Sequence, residues 1–467
     1  MVSEQSLTIF NKRYRMQILV TLTAHIITLS HGIGIGWLSP TLLILQSPQT
    51  PLDFTIAVDD VSWIGSIFGL GSLCSNIFFG LVADRFGRKT NMYLLALPHM
   101  LFWVLNFFAQ SVEYLYVSRF CAGLTSGGLY VIGPVFISEI SNNAIRGALT
   151  SLSMMFLSCG ILIGYILPSY LDYHLIPCLV IVLTVIYIFV LRLFPETPTS
   201  LLQRQQLEEA EKAFNFYNAI NMKSAQEPYA NKLQFSSAKS DFEELKSSKI
   251  QGGEKSAITL RDFCNKSALQ KFAIAFVLCI QNQFSSSFAF VNYMSHIFAE
   301  SGSTLDPKQC TIFAGVVQIM GTLLASTLVE RFGRKTLMLT STAGMALGMF
   351  AFGAFVQFTD DATKAEYNWV PLAAMAFVMA TASIGVISLT FTIIVEILPA
   401  KIRPQAQSIA MMFCSIMVFI TLKLYPYFLF NLGIYTTMYS CAGSCVVTGT
   451  YLLIFMPETK GKSMAKD

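Results

Sequence analysis

At 467 residues, 54% of them hydrophobic and only 12% charged, the chain carries about half the charge of an ordinary soluble domain. So little charge cannot cover a water-facing surface of this size. That excludes a soluble enzyme, a nucleic-acid binder and a disordered chain, and leaves one polytopic membrane protein. The net charge is only +4, so the information lies in where the charges sit.

A bilayer core is crossed by about 20 apolar residues. Twelve such stretches follow one another, at about 17–45, 61–83, 91–110, 113–138, 147–171, 174–194, 269–299, 310–330, 337–358, 369–398, 404–430 and 433–456. The first starts behind Lys12, Arg13 and Arg15 and is too long for a signal peptide, so none is predicted. Glycines inside spans one, two and four are read as helix-packing residues, because a nucleotide loop would follow a strand. The ten cysteines form no CxxC pair and fall largely within apolar runs, as small packing residues do.

Arg13, Arg85, Arg88, Lys89, Arg146, Arg331, Arg334, Lys335, Lys401, Arg403, Lys460 and Lys462 all fall in alternate connections, which the positive-inside rule assigns to the cytoplasm. The opposite connections hold Asp53, Asp59, Asp60, Glu113, Asp172, Glu300, Asp306, Asp360, Asp361 and Glu366, with only Lys308 and Lys364 as cations. Twelve spans then place both termini in the cytoplasm. Residues 199–268 form the one long polar connection, in which 207–217 and 240–249 read as short amphipathic helices. Asn265-Lys266-Ser267 matches a glycosylation pattern, but on the cytoplasmic side it should stay unmodified.

The chain repeats itself. The run Ala83-Asp84-Arg85-Phe86-Gly87-Arg88-Lys89-Thr90 returns 246 positions later as Val329-Glu330-Arg331-Phe332-Gly333-Arg334-Lys335-Thr336. Glu139 with Arg146-Gly147 answers Glu396 with Arg403-Pro404, and Pro195-Glu196-Thr197 answers Pro457-Glu458-Thr459. Three motifs in one order predict an all-α protein of twelve transmembrane helices in two pseudo-symmetric six-helix halves, 1–198 and 269–467, joined by the cytoplasmic linker 199–268. Parallel halves with a site between them at the midplane are one known transporter architecture.

By these residues, with Gly32-X3-Gly36-Trp37-Leu38-Ser39-Pro40, Arg119 in span four, and Leu201-Leu202, the sequence resembles the sugar porter family of the major facilitator superfamily, in particular its insect facilitated trehalose transporters. The likeness covers roughly 17–462 and implies the major facilitator fold, a neutral sugar cargo of the hexose or trehalose class, alternating access, and action as a monomer in a membrane, expected to be the plasma membrane. It implies no cofactor and no metal. It further implies that Asp84, Arg88, Glu139, Arg146 and Glu196, and their counterparts Glu330, Arg334, Glu396, Arg403 and Glu458, form charged networks that hold the halves together at the cytoplasmic side. Several weak pairs of about 0–1 kcal/mol each suit a latch that must open. The plainer alternative is that these charges only set topology.

Span seven carries Gln281, Asn282, Gln283, Ser285, Ser286, Ser287 and Asn292 inside an apolar helix. Uncharged amides supply the donors and acceptors that sugar hydroxyls need. By resemblance Asn282 and Gln283 stand at the family's Gln-Gln pair, and Gln318 at an Asn that contacts sugar. Gln283, Asn282, Gln318, Asn292 and Phe391, a ring able to stack on a sugar face, are the candidate substrate residues; amides bonding neighbouring helices are the alternative. Met154, Phe288, Asn292, Ser383, Cys414-Ser415 and the run 385–391 depart from the family pattern, which predicts a more apolar pocket. No carboxylate falls at bilayer depth, and span one lacks the Asp that faces the span-four Arg in proton-coupled relatives, so uniport is expected, with Arg119 satisfied by carbonyls and polar side chains. His31 is either a titrating group or a hydrogen-bonded packing residue. Lys423 either snorkels outward or meets substrate. A non-transporting nutrient sensor and a carrier of another solute are the rival functions. The chain shows no nucleophile–base pair, metal cluster or phosphate loop to suggest an enzyme.

Overall fold

The computed structural model describes residues 14–218, 242–243, 246, 260–399 and 401–460. Most of 240–249, and the side chains of Asp84 and Glu330, lie outside the described residues. The described residues form helices and connections, without a strand. The first six spans are α1 (Arg15–Gln46), α2 (Val58–Phe86), α3 (Arg88–Phe107), α4 (Val112–Ile140), α5 (Asn143–Tyr170) and α6 (Leu175–Arg192). Three short helices follow outside the bundle: α7 (Pro198–Gln203), α8 (Leu207–Tyr217), as expected from its pattern, and α9 (Leu260–Cys264).

The second half departs from six simple rods. Span seven is two helices, α10 (Lys266–Phe284) and α11 (Ser287–Glu300). After α12 (Pro307–Phe332), α13 (Arg334–Phe358) and the short α14 (Asp361–Glu366), span ten is again two helices, α15 (Val370–Ile384) and α16 (Val386–Ile397). The chain ends with α17 (Arg403–Tyr427), a π-helical turn (Phe428–Leu432), and α18 (Ile434–Phe455). Eleven of these segments are long and apolar enough to cross a membrane. The twelfth, α3, is 20 residues long but carries Asn91, His99 and Asn106, all buried against neighbouring helices.

Backbone released at a break inside a membrane must find partners in the protein. In span seven Ser286 takes a left-handed conformation (φ +60°). The freed carbonyls are met by hydroxyls: Ser287 Oγ donates to Asn282 O (3.1 Å) and Ser444 Oγ to Phe284 O (2.6 Å). Serine hydroxyls compete with the helix ladder, which is why a serine triplet breaks where an alanine run would not. In span ten the break at Gly385 is tied down by Val386 N–H donating to Ser341 Oγ (3.1 Å) and by Asn282 Nδ2 donating to Val386 O (3.1 Å). The two breaks therefore brace one another.

The packing glycines of span one do what their spacing predicts. A Cβ at Gly32 would stand 2.4 Å from Leu157 O, and one at Gly36 would stand 2.1 Å from Ile161 O. Gly160 and Gly164 present the same closeness from α5, so α1 and α5 touch backbone to backbone. Gly80, expected to permit close helix approach, does not: the nearest atom to a Cβ there is Ser408 Oγ at 3.8 Å.

Candidate functional site

The duplicated motif folds twice in the same way. Gly87 and Gly333 turn the chain at φ +87° and +85°, where an L side chain is strained. Each is followed by a helix whose first N–H groups point at a carboxylate. Lys89 N–H donates to Glu196 Oε1 (2.8 Å); Arg334 and Lys335 N–H donate to Glu458 (2.9 and 3.1 Å). A carboxylate at a helix N-terminus meets unsatisfied N–H groups and the positive end of the dipole. Burial pushes the Glu458 carboxyl up, but N–H donation from Lys460, Arg334, Lys335 and Thr459 outweighs it and holds the group below the ordinary glutamate value.

The arginines of these helices pair with the other acid. Arg88 Nε lies 3.1 Å from Glu139 Oε1, and Arg334 Nε lies 3.4 Å from Glu396 Oε1. Thr197 and Thr459 donate to the same two glutamates. The Arg88–Glu139 and Arg334–Glu396 pairs each lie inside one half, and at 7–17% exposure they are not solvent-facing pairs. Breaking a nearly buried pair costs on the order of 3–5 kcal/mol, so each of these two pairs stiffens its own half. Glu196 and Glu458 act as helix caps. Arg146 reaches Ser141 O (3.3 Å) and Arg403 reaches Leu398 O (3.3 Å).

Between the halves, at mid-depth, lies a cavity of about 940 Å³ counting its open end. Gln283, Asn282, Gln318 and Phe391 line it, as expected. Asn292 does not: it is fully buried, accepts from Arg119 (3.3 Å) and donates to Phe288 O (2.7 Å). Its carboxamide serves the buried cation instead of a substrate. Asn282 is also committed, since it donates to Val386 O and accepts from Gln283 Nε2 (2.7 Å). Gln283 Oε1 and Gln318 Oε1 are buried acceptors without a partner. Among the described residues, the wall contains no Asp, Glu, Lys, Arg or His. Met154, Phe288, Cys414 and Ser415, four of the departures from the family pattern, all lie in it, whereas Ser383 does not.

The remaining intramembrane charges lie off the cavity. Arg119 donates from Nε to Ile64 O (3.2 Å) and from Nη2 to Asn292 and stacks 5.0 Å from the Phe68 ring, whereas its buried Nη1 has no hydrogen-bond partner among the described residues, so the expectation of carbonyl and polar partners is met only in part. His31 is buried beside Phe68 and His99; its Nε2 has no partner, unlike His25 and His99, whose Nε2 atoms meet Leu149 O and Ser30 Oγ. Lys423 does not line the cavity; its side chain runs outward and stays about a quarter exposed, at 26%. It pairs with Asp59 (3.1 Å) and lies 3.9 Å from the Trp63 ring, joining the halves at the acidic end. Nearby, Ser62 donates to Lys423 O (2.8 Å), Ser39 donates to Ser295 (3.2 Å), and Gln46 meets His296 (2.6 Å). These bonds tie the two halves together at that end.

Sequence reasoning missed the amino-terminal wall. Ser72 and Asn76 on α2 and Tyr130 on α4 line the cavity, and the Tyr130 ring stands 5.3 Å from that of Phe391. The available signal was Ser72 and Asn76, polar residues one helical turn apart in an apolar span.

A family model described as "Sugar (and other) transporter" matches residues 28–466. The facilitated trehalose transporter Tret1 of Anopheles gambiae is 28% identical over 449 residues, which is 96% of this chain and 55% of that protein. Tret1 of Apis mellifera ligustica is 28% identical over 457 residues, 97% of this chain and 87% of that one. This chain thus spans little more than half of the first relative and most of the second. Among solved structures, the inward-open xylose transporter XylE from E. coli aligns with TM-score 0.75 at 21% identity, covering 96% of this chain and 98% of XylE. Its partially occluded inward-open form gives 0.74 at 21% identity, covering 94% and 100%.

Proposed function

Because this chain belongs to the sugar (and other) transporter family, we propose that it carries a neutral sugar of the hexose or trehalose class down its gradient by alternating access. One observation carries the reading: a cavity at mid-depth between the halves, free of Asp, Glu, Lys, Arg and His, into whose wall Gln283 and Gln318 bring acceptors that have no protein partner. Sugar hydroxyls are donors that such acceptors lack. Phe391 and Phe288 add faces against which a ring can lie. The relatives named facilitated trehalose transporter Tret1 support a trehalose cargo. Uniport is supported by a cavity wall whose described residues include no carboxylate and by the position of His31, away from that wall. The basic ends and both termini lie in the cytoplasm, the linker 199–268 joins the halves there, and the carrier works as a monomer in the plasma membrane.

The test is uptake of labelled trehalose, glucose and fructose into oocytes expressing the chain, with surface expression checked. Saturable uptake that a protonophore leaves unchanged is expected. No uptake of any of the three at normal surface expression would overturn the reading and favour a sensor or another cargo.

The bonds that join the halves at the acidic end suit an inward-facing carrier. In the outward-facing state Arg146 and Arg403 meet acids across the halves. Arg146→Gln or Arg403→Gln is then expected to slow uptake several-fold and raise labelling of cavity cysteines by reagents applied from the cytoplasmic side. Uptake and labelling equal to wild type would remove the latch.

A further inference from the structure

We propose that Asn76, with Ser72 and Ser415, forms a second hydroxyl-binding subsite on the wall opposite Gln283. The inference rests on the sugar-carrier reading above and names a specificity-determining residue within it. Asn76 is on α2, in the amino-terminal half, and is only 4% exposed. Its Nδ2 donates across the halves to Ser415 Oγ (2.9 Å) and to Met411 O (3.3 Å) on α17. Both amide hydrogens are thereby used. The Met411 carbonyl also fixes the orientation, because turning the amide over would set two oxygens against each other. Ser415 in turn donates to Met411 O (3.0 Å) and lies 3.0 Å from Ser72 Oγ.

What is left over is Asn76 Oδ1, a buried acceptor with no partner, in a residue that lines the cavity beside Ser72 and Ser415. A buried amide oxygen without a donor is costly, and a cargo hydroxyl that donates to it removes that cost. The wall holding Gln283 and Gln318 supplies acceptors from the carboxy-terminal half. Asn76 supplies one from the amino-terminal half, so the two walls grip different hydroxyls of one cargo. The departures at Met154 and Cys414 strip polar contacts from the usual positions, and Asn76 puts one back from a different helix.

The experiment is competition of labelled-glucose uptake by glucose and by its 2-, 3-, 4- and 6-deoxy analogues, in wild type and in Asn76→Leu. In wild type, the analogue lacking the hydroxyl that Asn76 accepts should compete about five- to tenfold more weakly than glucose. In Asn76→Leu that one ratio should fall to near unity while the ratios for the other analogues stay as they were. Asn76→Ala, which withdraws the amide acceptor without adding bulk, gives the same readout if the leucine variant fails to reach the surface. Unchanged ratios in both variants, or a uniform loss of maximal rate with every ratio preserved, overturns the subsite and leaves Asn76 a structural link between halves. Wild type that carries no sugar at all removes the reading beneath it, which is a separate and recognisable result.

Discussion

Replacing Gln283 by leucine is expected to raise the half-saturating sugar concentration about five- to thirtyfold while leaving surface expression near wild type. Leucine fills a similar volume, so the wall of the cavity keeps its shape. What is lost is one buried acceptor facing no protein donor and the Nε2 bonds to Asn282 and Cys414. A hydrogen bond to cargo contributes on the order of 1 kcal/mol, and roughly 2 kcal/mol where a buried group is left unmatched. Asn282→Leu should behave differently despite its place next door. Asn282 Nδ2 holds the carbonyl of Val386 at the span-ten break, so its loss should show as reduced folding and surface expression before any change in affinity. Uptake kinetics with quantified surface protein separate the two. An unchanged half-saturation in Gln283→Leu would take Gln283 out of the binding site.

The second large effect is steric. Gly36→Val is expected to abolish most surface expression and to lower the thermal unfolding temperature of the purified protein by several degrees. A Cβ at Gly36 would lie 2.1 Å from the carbonyl of Ile161, with two more backbone atoms of Ile161 at 2.9 Å. Those neighbours are main-chain atoms of a helix and cannot rotate aside, so α1 and α5 must separate. Overpacking of this kind costs about 1–3 kcal/mol or more, and separation also breaks the flanking contacts at Gly32, Gly160 and Gly164. Gly443→Ala is the control, because a Cβ there meets nothing within 4 Å. Equal stability of Gly36→Val and Gly443→Ala would show that the α1–α5 contact is not tight.

Much of this architecture follows from local rules. Twelve membrane-length stretches, the alternation of charge between connections and the repeated Gly-Arg-Lys turn are properties of short windows, and a bilayer imposes one solution on an apolar window of that length. The motif residues therefore landed where the repeat puts them, at equivalent turns of the two halves, with Gly87 and Gly333 in the same backbone conformation. The partners were a different matter. Whether Glu196 meets a guanidinium or a row of backbone N–H groups depends on how a chain segment more than a hundred residues away docks, and it chose the N–H groups. The three-dimensional arrangement also decided that spans seven and ten could stay broken, since the breaks are tolerable only because Asn282, Ser341 and Ser444 on other helices take up the freed backbone. It alone turned Asn292 towards Arg119 and Asn76 towards the cavity. Composition along one helix identifies polar residues in an apolar span, but the face each one presents is set by the rotation and neighbours of that helix, and those are decided only when the bundle packs.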